Sequence, residues 1–562
     1  MRDALGGMAA VLLGIAAFFV FAGWWVLIPD NIAWLALRDR AMHTLGWFYY
    51  RDGPWGIPPG DSPDLGLELA NSIGLVDGLP LFAIPFKILS PWLPRPFQYW
   101  GYWWLTCFVL QALFAYRFAR ELNARRLVAV LAAGFAVLTP AFLARLPLHM
   151  ALAGHWTILA ALYLYARREP PRPWMWPLLL GVTAAIHAYL LAMVLALYAA
   201  SWVQRLWRQR FADVAGWLEP IAAGLVVITV MWGVGFFYTG SLGSDGFGYY
   251  RLNLLGFVIS HGWSQLVPPL LHSSYDYEGL SFLGIGIFGA LALTILSGSI
   301  VDLRRLLRSR WLPLLLACLV CGVFALLNVI GLLNRQAEAI PLPHLLETIG
   351  NTFRSTGRFV WPMLYLLTLG AVIVAVRRLP YRLAVTALGL LLVAQIVDSR
   401  AAWGDFRRDV PPPTSVWQTA LVSPFWAQAV DAGFDRIRAV RTRRRIMGWR
   451  DFEYFAYQRH IRTDIVYLGR TDDIALQSLY AGEQQALAAG ELEPKTIYIM
   501  SNANARRAAE RLRPDDLLAI IDGYVVYARH GAALVEGLGI SPQAGTQLKP
   551  WVPANLQQLV DL

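Results

Sequence analysis

Apolar runs of about twenty residues recur along this chain, and no other feature constrains its fold more. A helix needs roughly twenty such residues to cross the hydrocarbon core of a bilayer, where every backbone polar group must be bonded internally. Runs beginning near residues 8, 101, 126, 150, 217, 281, 311, 359 and 381 fit that requirement. Hydrophobic residues make up 57% of the 562 positions and charged residues only 15%, against about 25% charged in a soluble globular chain. The pattern predicts a polytopic α-helical membrane protein. The first run lacks a convincing cleavage site and reads as an uncleaved span.

Orientation follows from the arginines. The segment from Trp174 to Trp207 reads as one span or as two short spans broken around His187. Only the broken reading puts Arg205, Arg208 and Arg210 on the same side as Arg117, Arg120, Arg125 and Arg126, as Arg167, Arg168 and Arg172, as Arg304, Arg305, Arg308 and Arg310, and as Arg377, Arg378 and Arg382. By the positive-inside rule that side is cytoplasmic. The reading gives about eleven spans, an inner N-terminus and an outer C-terminus. Three long loops, roughly 29–100, 239–280 and 334–358, then face outward.

The net charge of +11 does not point to nucleic acid. The basic residues are nearly all Arg, with Lys only at Lys87, Lys495 and Lys549, and many lie between apolar runs where topology explains them. Cys107, Cys318 and Cys321 all lie in apolar runs, and the Cys318/Cys321 pair has no second pair to complete a zinc site, so it reads as buried core.

Past Asp398 the character changes. "RRDVPPPTS" reads as an extended linker. Beyond it "FDRIRAV", "TDIVYLG", "TIYIMSN" and "LLAIIDGYVVYAR" read as strands, and "DDIALQSLYAGEQQALAAG" and "NARRAAERL" as helices. The alternation predicts a soluble, periplasmic α/β domain over 399–562 with a mostly parallel sheet, following a transmembrane module over 1–398. No Gly-rich phosphate fingerprint follows any of these strands.

The ionisable residues outside the basic loops all map to the outer face, and polar groups near membrane depth tend to be functional. Asp39 and His43, four apart, share one face of a helix just past the first span. Asp39 could act as a general base toward a sugar hydroxyl, or simply pair with Arg38 or Arg40. The aromatics Trp47, Phe48, Tyr49 and Tyr50 are expected to hold this loop at headgroup level. Arg145, His149 and His155 sit at a second outer turn and His187 at a third. Three histidines and an aspartate could bind a divalent metal, although their spacings match no zinc signature. They could equally hydrogen-bond a sugar or phosphate, or pack as satisfied helix-turn histidines. Arg354 and Arg358, again four apart, could grip a phosphate or anchor a helix among headgroups. Asp276 and Glu278, beside Tyr275 and Tyr277, suit sugar binding, and Asp77 in "LVDGLPL" adds another carboxylate.

The stretches "RDRAMHTLGWFYYRDGPWGIPPG", "GLVDGLPLFAIPFK", "LPLHMALAGHWTILAALYLY", "IHAYLLAMVLALY", "YEGLSFLGIG" and "FRSTGRFVWP" carry a resemblance to the GT-C glycosyltransferase superfamily. More narrowly they resemble a bacterial family of uncharacterised GT-C-like multi-pass membrane proteins. The resemblance covers residues 1–398 and not the C-terminal domain. It implies transfer of a sugar from a polyprenyl-phosphate carrier, usually with inversion, with the first-loop carboxylate as base. That role falls on Asp39, with His43 beside it. Many GT-C enzymes carry two adjacent acids there; Arg40 occupies the second place here, which leaves metal use open. Arg354 and Arg358 are the candidates for the leaving phosphate.

The expectation is therefore a glycosyltransferase of the bacterial inner membrane. Its partners would be the bilayer, a polyprenyl-phosphate-linked donor and a glycan, lipid-linked or protein acceptor on the periplasmic face, with a divalent metal as the one cofactor in question. Asp39 and His43 are the catalytic candidates. Arg354, Arg358, Arg145, His149, His155, His187, Asp77, Asp276 and Glu278 are the substrate-binding ones. A flippase for lipid-linked glycans would favour inverted repeats and charges midway along spans, neither of which the sequence displays. A polysaccharide polymerase or ligase would also use outer-loop arginines.

Overall fold

The structure is a computed structural model that describes residues 2–69, 71–208, 214–239, 246–268, 270, 273–299, 309–408, 410, 416–440, 447–470 and 473–538. Arg210, Arg304, Arg305 and Arg308 of the basic loops, residues 240–245 near the start of the second long loop and the proline run of the linker lie outside the described residues.

Helices occur wherever the sequence carries an apolar run. The helix Trp100–Glu121 packs against Arg2–Phe21, Arg126–Val137 and Trp156–Ala166. Around this centre, Ile285–Leu296 packs on Trp361–Ala375, and Leu312–Leu326 on Ala188–Arg208. Cys318 and Cys321 are buried in Leu312–Leu326. The expected break is present: one helix ends at Ala184 and the next begins at Ala188, with His187 between them. A second break separates Arg126–Val137 from Pro140–Leu148, bent by 43°, where Pro140 starts the new helix with the fixed φ that favours a first position.

Four described helices are long and apolar enough to cross a membrane: Asp3–Phe21, Ala188–Trp207, Thr356–Ala375 and Tyr381–Arg408. The bent pair would make a fifth. This is consistent with a membrane localisation, but it is fewer than the eleven spans expected. The remaining apolar helices are short. Ile285–Leu296 has 12 residues, which rise only about 18 Å against a hydrocarbon core of about 30 Å.

The first long loop is folded rather than extended. It holds the helices Asp39–Asp52 and Pro80–Ile88 and a two-residue hairpin, Asp61–Ser62 with Asn71–Ser72. The aromatic block turns inward, and its polar tips find partners inside the protein. Trp47 donates to the Phe97 carbonyl at 2.8 Å, Tyr50 to that of Pro59 at 2.7 Å and Tyr49 to that of Glu453 at 3.1 Å. All four aromatics are buried.

The C-terminal region contains a five-stranded sheet in the order Arg462–Thr463, Arg436–Val440, Thr496–Met500, Tyr524–Ala528, Leu517–Ile521. The first three strands are parallel and the last two pairings antiparallel, so the sheet is mixed rather than mostly parallel. The reason lies in "LLAIIDGYVVYAR", which is two strands and not one. Asp522 and Gly523 both adopt positive φ, 47° and 84°, the geometry of a two-residue hairpin turn for which Asp-Gly is favoured. "TDIVYLG" contributes only its first residue to a strand. The helices Asp473–Ala489 and Asn502–Ala509 form as expected. The helix Tyr381–Arg408 runs ten residues past Asp398 before this region begins.

The helix Trp449–Arg459, not foreseen in the sequence, joins the two regions by packing on Asp39–Asp52. Tyr457 stacks on Phe48 with ring centroids 5.0 Å apart and donates to Asp52 at 2.7 Å. Arg438 pairs with Glu68 at 2.8 Å, and Arg450 donates to the Ala36 carbonyl at 3.0 Å. The C-terminal region thus rests on the first long loop, and both must lie on the same side of any membrane.

Candidate functional site

Residues from six separate segments meet near the start of the helix Asp39–Asp52. Asp39 is its first residue, where a carboxylate is favoured by the helix dipole. The side chain stays 37% exposed. One turn on, His43 points into the protein and is fully buried. Asp77 is presented by a strained turn: Asp77 and Leu79 have φ of 53° and 55°. That region is rare for residues with a side chain and cheapest for Asn and Asp.

His149 links two carboxylates. Its Nδ1 lies 3.7 Å from Oδ2 of Asp39, and its Nε2 lies 3.1 Å from Oε1 of Glu278. Glu278 is buried between two guanidinium groups. Arg145 reaches its Oε2 at 2.5 Å, and Arg358 grips both oxygens, at 2.8 and 2.9 Å. Burial alone would raise the carboxyl pKa of Glu278, but Arg145, Arg358 and His149 together hold it well below the ordinary range. The two arginines are in turn backed by aromatics: Arg358 lies over Tyr189 at 4.7 Å and Arg145 over Trp361 at 5.6 Å.

On the other flank, His187 Nε2 lies 3.3 Å from Oδ1 of Asp77. The Tyr189 backbone N–H donates to Nδ1 of His187 at 3.1 Å, so the ring proton sits on Nε2 and faces Asp77. Burial pushes Asp77 up, and His187, His43 and His149 more than reverse this, so its carboxyl titrates below the usual range. Burial pushes His43 down to about 4 against the pull of Asp77 and Asp39. Among the described residues, His43, Asp77 and His149 each offer one ligand atom within 4.8 Å of the others.

The structure therefore gathers Asp39, His43, Asp77, Arg145, His149, His187, Glu278 and Arg358. It leaves three of the expected residues apart. His155 is buried among helices, with Nδ1 2.7 Å from the Tyr365 hydroxyl and its ring against Trp361. Asp276 closes the turn Ser274–Gly279 and accepts from Asn253 at 2.8 Å. Arg354 lies over Tyr250 at 5.7 Å rather than on the carboxylates.

Nothing in the sequence marks Arg470 as a site residue. This C-terminal residue donates to the Thr352 carbonyl at 2.9 Å and lies close enough to Tyr189, Asp77 and Arg354 for their charges to act on it, although burial, the largest influence, lowers its pKa. Its own carbonyl accepts from Asn71 at 2.9 Å. No local motif could have found it, because only the docking of the two regions brings it near. An apolar crevice of about 310 Å³ lies between the helices Arg2–Phe21, Arg126–Val137 and Tyr381–Arg408, lined by residues such as Leu13, Val20, Leu138 and Ile396. It also touches Leu143, on the same short helix as Arg145.

The profile of a family described as "Domain of unknown function (DUF6311)" matches residues 11–400. A second, described as "DUF6311 C-terminal domain", matches residues 425–529. No curated protein matches the chain.

Proposed function

The chain belongs to the DUF6311 family, and on that premise we propose that it is a GT-C-type membrane glycosyltransferase of the bacterial inner membrane. It would move a sugar from a polyprenyl-phosphate carrier to a glycan, lipid-linked or protein acceptor on the periplasmic face. The observation that carries this reading is Asp39: a part-exposed carboxylate at the start of the helix that follows the first apolar helix in the chain, joined through His149 and Glu278 to Arg358. In the reaction Asp39 takes the proton of an acceptor hydroxyl as its oxygen attacks the anomeric carbon. The bond from that carbon to the phosphate oxygen breaks, and polyprenyl phosphate leaves with the electron pair, inverting the centre. The leaving phosphate would be met by positive charge from Arg358 and Arg354, the pair nominated from the sequence, together with Arg470, which lies near Arg354 and Asp77. The apolar crevice beside Leu143 suits an isoprenoid tail. Counting the short and bent helices as spans keeps the eleven-span topology with both long loop and C-terminal region outside.

The test is transfer from a panel of radiolabelled polyprenyl-phosphate hexoses and pentoses, in membranes containing the wild-type protein or Asp39→Asn. Label should pass to a glycan, lipid or protein fraction only with the wild type. If no donor of the panel is used, or if Asp39→Asn transfers at the wild-type rate, the reading fails.

A further inference from the structure

We propose that His43, His149 and Asp77 form a site for a borderline divalent transition-metal ion, Zn²⁺ first, with Asp39 at its rim. This goes beyond the transfer reading and stands or falls independently of it.

Three observations converge. His43 is 0% exposed, yet neither of its ring nitrogens has a hydrogen-bond partner among the described residues. Burying an imidazole with both nitrogens unpaired is unfavourable, and a metal ion coordinated by the lone-pair nitrogen would remove part of that cost. The ligand atoms of His43, Asp77 and His149 also lie within 4.8 Å of one another. Metal–nitrogen and metal–oxygen bonds of about 2.0–2.2 Å place ligand atoms roughly 3.3 Å apart around a tetrahedral ion, so closing on one requires only small side-chain shifts.

The third observation is where the protons sit. Glu278, paired with two arginines, can only accept, so Nε2 of His149, 3.1 Å away, carries the proton. The ring's Nδ1 faces Oδ2 of Asp39 at 3.7 Å, so something positive, a proton on Nδ1 or a cation between the two, must separate the ring nitrogen from the carboxylate. His187 does for Asp77 what Glu278 does for His149: its Nε2–H orients the carboxylate through Oδ1 at 3.3 Å. Ligands fixed in this way by outer hydrogen bonds are a regular feature of metal sites. Two imidazoles and one carboxylate select zinc and its neighbours over Mg²⁺ and Ca²⁺, which prefer all-oxygen sets, and they leave a coordination position open.

The rival is a proton on Nδ1 of His149, bridging Asp39 and Glu278 with no metal present. The two are separated with the full chain, purified in detergent without a polyhistidine tag. Every sample carries His530→Ala, because Asp515, Asp516 and His530 form a second cluster, with Asp516 buried and the other two exposed, that could bind metal independently. Metal content after dialysis against Zn²⁺, and the visible absorption of the Co²⁺-loaded protein, are then measured. The expected result is one ion per chain and a Co²⁺ band. Both His43→Ala and Asp77→Asn should weaken binding by at least roughly 10–100-fold, while His155→Phe, which alters a buried histidine outside the site, leaves it intact. A folded parent protein carrying His530→Ala alone that takes up no ion at saturating Zn²⁺ or Co²⁺ overturns the proposal and leaves the proton bridge. An ion that persists unchanged in a folded His43→Ala or Asp77→Asn overturns it as well.

Discussion

Asp39 and His149 face each other at 3.7 Å across two loops that are remote in sequence. The imidazole that meets Asp39 on one side meets Glu278 on the other. One ring therefore ties a part-exposed carboxylate to a buried ion cluster.

Glu278→Gln should destabilise the protein strongly. The carboxylate is the counter-charge of both Arg145 and Arg358, all three are buried, and removing one partner of a buried ion pair costs about 3–5 kcal/mol. A melting temperature in detergent lowered by several degrees is expected, with Glu278→Asp intermediate. An unchanged melting temperature would show that the arginines do not depend on this group.

The docking of the C-terminal region on the first loop can be tested by labelling. The three native cysteines are buried, so an impermeant maleimide should react only with introduced thiols. Ile57 and Ile474 are 88% and 78% exposed. Ile57→Cys and Ile474→Cys should label from the same side of intact cells or vesicles, the periplasmic side on the proposed topology. Labelling from opposite faces would contradict the contacts of Tyr457 with Phe48 and Asp52.

Much of this arrangement was legible in the residues, and what was not has identifiable causes. The break at His187 could be read because an intact span would have put Arg205 on the wrong side. The cluster members could be nominated because ionisable groups flanking apolar runs are few. Which of them meet could not be read: His149 and His155 occupy the same turn region, yet one faces Asp39 and the other Tyr365, a difference set by how helices rotate when they pack. That Trp47 and Tyr50 turn into the protein could not be read, because an aromatic at a bilayer surface and one in a folded loop look alike in sequence. The Asp522-Gly523 turn was a local signal present in the sequence and passed over. Arg470 lacked any signal.

Glu453 should make stability pH-dependent in the unusual direction. Burial pushes its carboxyl well above the ordinary range, only partly opposed by a hydrogen bond from the Tyr467 backbone. A folded-state pKa above the unfolded one of about 4.3 means the contribution is complete below that pH. It is then lost as pH rises toward the folded pKa, because the unfolded chain releases the proton first. Glu453→Gln keeps the shape without the proton. Its melting temperature should therefore match the wild type near pH 4.5 and exceed it increasingly up to pH 8. A constant difference across that range would show that Glu453 is ionised in the fold.

Asp39→Asn isolates the proposed chemistry from the architecture. The side chain is 37% exposed and its structural contact, to His149, is long. The amide is isosteric, so the variant should express and melt like the wild type. What it loses is the ability to take a proton, and loss of a general base costs about 10²–10⁴ in rate. Transfer in the membrane assay should fall to that extent, while binding of a polyprenyl-phosphate probe, which depends on Arg354, Arg358 and Arg470, stays the same. Arg470→Ala should do the reverse, raising the donor KM with less effect on turnover, because it contacts the leaving group's charge and not the proton. If both substitutions change only KM, Asp39 positions substrate rather than removing its proton, and the base must be sought at Asp77, the other part-exposed carboxylate of the cluster.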